Sequence, residues 1–215
     1  YSHCGVGFIT SLKDKASFEI LELGLKGLQN VEHRGGSSEG DTYGDGAGVM
    51  TSVPYDLFGI DEKQAVAMIF APAEETRFKK AISVFESTFS QYDLTIMGYR
   101  DVPINPQALG SKAIESMPRI IQAFIKRPKH CRTMTSFDDL LYFAKQMVRT
   151  NGRKSGLSLY FTSLSSRSII YKALATSIQL DEFYPDLKNE KYKTKFVLFH
   201  RRFSTNTLPS WDKVQ

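Results

Sequence analysis

Apolar and polar positions along this 215-residue chain repeat with two periods, and the change from one to the other predicts its elements. At the front, the short apolar alternation of residues 4–9 reads as a strand that presents Cys4 at its first position. Over residues 16–33, Phe18, Leu21, Leu25 and Leu28 fall at helical spacing behind Ser17, a natural N-cap, with Glu19 in the first turn. Residues 49–53 predict a strand stopped by Pro54, and the apolar run 65–71 a buried one. Pro72 suits a first helical position, so a helix is expected from there, with Phe78, Ala81, Ile82, Phe85 and Phe89 as its inner face. Strands are expected over 94–102 and 119–125, with a loop over 103–110. The plainest helix is 137–149, capped by Ser136 and stopped by Asn151-Gly152. Next, Leu157, Leu159 and Phe161 alternate with polar residues, and a turn at Ser165-Ser166-Arg167 leads into 169–173 as a hairpin. A short helix over 178–183 is closed by Pro185, and a buried strand over 196–199 runs into His200-Arg201-Arg202. Strands outnumber helices and no internal repeat appears, which predicts one α+β domain.

Composition narrows the function classes. The net charge is +5 and the sequence pI is near 9.1, but the basic residues are dispersed and follow no nucleic-acid-binding spacing, so solvated surface is expected and no nucleic-acid partner. No apolar run approaches the roughly 20 residues that cross a bilayer, so no membrane partner is expected. Two cysteines, Cys4 and Cys131, cannot build a disulfide framework or a four-cysteine metal site. A reducing compartment, cytoplasmic or plastid, is expected.

Three stretches hold candidate chemistry. Cys4 is either a nucleophile at the head of its strand or a buried structural thiol. Were it the first residue of a mature chain, its own α-amine, with an ordinary pKa of roughly 7.7–8.0, could serve as its base. Arg34, in Glu32-His33-Arg34, is either a cation at a helix C-terminus or an arginine turned toward the thiol. After the last strand, arginines 201 and 202 could fork onto a carboxylate, or be solvated. The glycines between Gly35 and Gly48 lack the spacing of a phosphate loop, so close backbone approach is the expected use. A cysteine–histidine pair, drawing on His3, His33, His130 or His200, and a partial metal site at His130-Cys131 are further readings.

Jointly, Cys-Gly-Val-Gly-Phe at 4–8, Glu-His-Arg-Gly at 32–35, Gly-Asp-Gly-Ala-Gly at 44–48 and Arg-Phe-Ser-Thr-Asn-Thr at 202–207 resemble one family. So do Gly-Tyr-Arg-Asp-Val-Pro at 98–103, Ser-Leu-Ser-Ser-Arg at 163–167 and Phe-Tyr-Pro-Asp-Leu at 183–187. The chain resembles the N-terminal class II glutamine amidotransferase domain of glutamate synthase large subunits. The resemblance implies an N-terminal-nucleophile hydrolase fold, a four-layer α/β/β/α sandwich of two antiparallel sheets, here incomplete at its C-terminal end. It implies hydrolysis of L-glutamine to glutamate and ammonia, with Cys4 and Arg34 as catalytic residues and Arg202 and Thr205 binding the substrate. No cofactor is implied in this stretch. FMN and an iron–sulfur cluster would sit in the remaining synthase region, the expected partner, where ammonia and 2-oxoglutarate give glutamate. Residues 1–3 are expected to be the remnant of a cleaved leader, and 4–215 the N-terminal part of the glutaminase domain. The family's oxyanion hole would lie past Gln215, and losing one such donor costs roughly 10²–10³ in rate, so this stretch alone is expected to be inactive. Two alternatives remain: another class II amidotransferase with a different acceptor, and a non-catalytic fragment that binds glutamine or a partner.

Overall fold

The computed structural model describes residues 4–36, 44–157, 159–204 and 207–214. It is α+β, with two four-stranded sheets, and the chain divides into two compact units. The first comprises Tyr1–Gly59, Pro103–Met117 and Ile170–Gln215; the second comprises Ile60–Val102 and Pro118–Ile169.

The first sheet is built from β1 (Gly5–Thr10), β2 (Ala47–Ser52), β7 (Ser168–Ala173) and β8 (Phe196–Arg201), in the order β1-β8-β2-β7. β8 runs antiparallel to both of its neighbours, so Arg201 stands between Gly5 on one side and Ala47 on the other. Helix α1 (Phe18–Asn30) buries Leu21, Leu25 and Leu28 as its spacing predicts, and Ser17 caps it by accepting the Ile20 N–H. Short helices α2 (Tyr55–Phe58), α4 (Ser111–Glu115) and α6 (Gln179–Phe183) complete the unit. Three tyrosines stand in its interior among aliphatic residues. Tyr171, Tyr184 and Tyr192 are fully buried and meet edge to face. Each hydroxyl is satisfied, by Asp186, by the Lys172 carbonyl and by Thr51 respectively, at 2.7–2.8 Å. Such partners are what make a phenol tolerable in a core.

The second sheet has the order β4-β5-β3-β6, with β3 (Gln64–Ala71), β4 (Thr95–Asp101), β5 (Arg119–Lys126) and β6 (Tyr160–Ser165). β3 pairs antiparallel with both β5 and β6 and is buried from Ala65 to Ala71, which is why it reads as an unbroken apolar run. Helices α3 (Glu75–Gln91) and α5 (Met134–Lys154) close the core with Phe85, Phe89, Phe137, Leu141, Ala144 and Val148.

Three expectations need correction. α3 begins at Glu75, not at Pro72, because the Glu74 carboxylate accepts the N–H groups of Thr76 and Arg77 and makes Glu74 the cap. Those bonds hold its carboxyl below the usual range. α5 begins three residues before 137, since Thr133 and Ser136 form a reciprocal capping box, and it runs through Asn151-Gly152 to Lys154. Asn151 is held there by a hydrogen bond to Thr88. Finally, β6 and β7 are not a hairpin: the turn at 165–167 takes the chain from one sheet into the other. Asp138 builds that turn by accepting from Ser166 N–H and from the Arg167 guanidinium, both at 2.7 Å.

Candidate active site

Cys4 immediately precedes β1, and the pairing of Gly5 with Arg201 sets it beside the segment that follows β8. The thiol is half-buried, and the Phe203 backbone N–H donates to Sγ at 3.4 Å. Among the described residues no histidine nitrogen is hydrogen bonded to Cys4, and His130 and Cys131 lie in the second unit. There His130 faces Asp93 at 4.0 Å, and the buried Cys131 donates to the Ser136 carbonyl. The described residues contain no group of three or more His, Cys, Asp or Glu able to hold a metal.

Arg34 is exposed in the single 3-10 turn, Glu32–Arg34, that follows α1. Its Cβ lies 3.1 Å from where a Cβ on Gly5 would stand, so its backbone borders the residue next to Cys4. Arg202 approaches the same end of the sheet. Its N–H donates to the Gly46 carbonyl at 2.8 Å and its carbonyl accepts from Gly36. Thr205 lies outside the described residues. Cys4, Arg34 and Arg202 are thus gathered at one end of the first sheet.

The consecutive arginines have opposite fates. Arg201 has no solvent exposure. Nε and Nη2 fork onto Glu32 at 2.9 and 2.8 Å, Nη2 also reaches the Gly36 carbonyl, and Nη1 donates to the carbonyls of Gly46 and Arg202. All its N–H groups are engaged. Arg202 is half-buried, and among the described residues its side chain donates to the Asp45 carbonyl and the Thr207 hydroxyl.

Sequence reasoning had no place for Glu32. Burial alone would raise its pKa, but hydrogen bonds from Arg201 and Ser177 outweigh that and leave it lowered. The signal was present in β8: Val197, Phe199 and Arg201 share the inward face by strand alternation, so Arg201 was due to be buried and to need a carboxylate. The described glycines of the stretch serve close approach, as expected, and Gly40 lies outside the described residues. A Cβ at Gly35 would lie 2.2 Å from the Arg201 guanidinium, and one at Gly36 2.1 Å from the Asp45 carboxylate. That carboxylate accepts the Ser204 N–H and so ties the loop after β8 to the glycine turn. Lys172 on β7 is also buried and donates to the Val214 carbonyl. Burial, opposed by Asp212 and reinforced by Arg202, brings its pKa down to about 8.

Comparison with known proteins adds a second line of observation. The family model described as "Glutamine amidotransferases class-II" matches residues 4–215. The chain is 40% identical to ferredoxin-dependent glutamate synthase 2, chloroplastic, of Arabidopsis thaliana over 224 residues, 99% of this chain and 14% of the relative. It is 39% identical to ferredoxin-dependent glutamate synthase 2 of Synechocystis, again across 99% and 14%. It is 36% identical to the glutamate synthase [NADPH] large chain of Bacillus subtilis, across 98% of this chain and 14% of that one. The chain therefore spans 14% of the length of these curated relatives.

Proposed function

This chain belongs to the class II glutamine amidotransferases, and from that premise we propose that, as part of a longer glutamate synthase, it hydrolyses L-glutamine through Cys4 and supplies ammonia to the synthase region. The observation that carries the reading is the placement of a half-buried thiol, with the Phe203 backbone N–H on its sulfur, next to Arg202 at the end of β8. Sγ attacks the side-chain amide carbon, the C–N bond breaks, and ammonia leaves with the proton taken from the thiol. Water then cleaves the γ-glutamyl thioester, giving glutamate and restoring the thiol. The base is the Cys4 α-amine, which requires the His3–Cys4 bond to be cut. Arg202 pairs with the substrate α-carboxylate in a fork, Thr205 belongs to the same binding loop, and Arg34 places a cation near the nucleophile.

Beyond this chain, ammonia would meet 2-oxoglutarate in a synthase region carrying FMN and an iron–sulfur cluster, in the cytosol or a plastid. No step here passes through those groups. No helix among the described residues is long and apolar enough to cross a membrane.

The test is the intact mass of the protein expressed from its complete gene, with and without a diazo ketone analogue of glutamine. The expected product starts at Cys4 and gains one adduct on that residue, and Cys4→Ala gains none. Retention of Tyr1–His3 with an unmodified Cys4 would replace this reading with that of a glutamine- or partner-binding domain.

A further inference from the structure

The second unit contains a cavity of about 450 Å³, lined by the start of β3, by Met97 of β4 and by the segment that joins β5 to α5. Its wall carries five cations, Lys63, Lys126, Arg127, Lys129 and Arg132, against one carboxylate, Asp61. Asp61 is already engaged, accepting the Lys63 backbone N–H at 2.8 Å.

None of these cations has a carboxylate partner among the described residues. In the same unit Lys79 is paired with Glu75, Arg119 with Glu75 and Asp101, and Arg167 with Asp138, so what sets the cavity apart is the gathering of five cations on one concave wall. At the cavity, Arg127 rests against the Met134 sulfur instead. Five like charges around a concave wall repel one another and focus a positive potential into it. Met97 and Pro128 add apolar surface between the charges.

We propose that this cavity binds a small organic polyphosphate of about mononucleotide size. The volume lies in the range of small-molecule pockets. Two guanidinium groups supply forks that match phosphate oxygens, and three ammonium groups supply point charges around them. The apolar surface of Met97 and Pro128 suits an organic moiety. Nothing in the glutaminase reading uses this cavity, so the ligand would be additional to glutamine and the inference stands or falls independently of Cys4.

The experiment is calorimetric titration of the full-length protein with tripolyphosphate and with magnesium-free ATP, at constant ionic strength. Saturable binding at one site per chain is expected. Lys129→Ala and Arg132→Ala, both at exposed positions, should each weaken it by about tenfold, while Arg132→Lys, which keeps the charge but loses the fork, should recover only part of that loss. On the unaltered protein, tripolyphosphate should protect Lys126 and Lys129 from amine acylation, read by peptide mass. Absence of saturable binding overturns the proposal, as does binding that both alanine variants leave unchanged, or acylation that the anion does not alter. Displacement of tripolyphosphate by hexaglutamate that binds more tightly also overturns it, in favour of an acidic protein segment.

Discussion

The two sheets hold their interiors with different chemistry. In the second unit, α3 and α5 close over β3 with phenylalanine, leucine and alanine, and Phe85 meets Phe89 and Phe161 edge to face at 4.4 and 5.5 Å. In the first unit, the end of the sheet that carries Cys4 is held by a buried ion pair, backbone carbonyls and glycines that let charged groups approach the main chain. The attractions of an apolar core are non-directional, whereas the polar assembly works only with every donor matched. Rigid placement of the proposed nucleophile, Cys4, and of Arg202, proposed to bind the substrate carboxylate, is what the second kind of interior would supply.

The largest expected effect is in the apolar unit. Phe85→Ala removes a fully buried ring that contacts three other aromatics and should cost about 3–5 kcal/mol of stability, measured by urea unfolding. If the comparison is sound, the folded fraction of the variant still takes the diazo ketone on Cys4. Loss of labelling in the folded fraction would mean that the two interiors are not separable.

Next comes the arginine pair. Arg201→Met strands Glu32, whose side chain is 29% exposed, so a loss near the lower end of the range for broken buried pairs is expected, about 3 kcal/mol. Arg202→Met, one residue on, should cost under about 1 kcal/mol yet raise KM for glutamine by about tenfold or more. Equal stability losses at the two positions would erase the distinction between a structural and a ligand-binding arginine.

Much of this was legible in the chain, and where it was not the reason is physical. α1, β3, β5 and β8 carry their period within their own residues, so their positions followed from pattern. The partner of a strand is a long-range property: the turn at Ser165-Ser166-Arg167 has hairpin chemistry, yet Asp138, some 28 residues away, fixes it as a crossing between sheets. Cys4, Arg34 and Arg202 were recognisable from short motifs and come to one sheet end. Glu32 was passed over because a carboxylate at a helix end is ordinarily solvated, and only its pairing with Arg201, 169 residues away, gives it a role.

Acid sharpens the same contrast. Glu32 has a folded pKa below its ordinary value of 4.5. Near that pH the unfolded chain binds more protons, so stability rises with pH. The contribution is whole above the unfolded value and is lost as pH falls through the folded one. Urea midpoints between pH 6 and pH 3 should therefore fall further for the unaltered protein than for Glu32→Gln. Parallel curves would assign the acid sensitivity to other carboxylates and weaken the case for the pair.

The smallest expected effect tests the apolar unit at a position where the backbone limits the side chain. Glycine within a helix normally costs about 1 kcal/mol relative to alanine, so Gly152→Ala in α5 would ordinarily stabilise. Here the chain folds back over the helix end: Leu157 N–H donates to the Gly152 carbonyl at 2.8 Å, and a Cβ at 152 would meet the Leu157 carbonyl oxygen at 2.8 Å. That oxygen is backbone and cannot rotate away, so the contact outweighs the propensity gain and a net loss of about 1 kcal/mol is expected. Differential scanning calorimetry reads the sign. A lowered Tm explains why a helix can carry Asn151-Gly152 without ending there. A raised one would mean that the segment after α5 yields easily, and that the close packing of this unit does not extend to its helix ends.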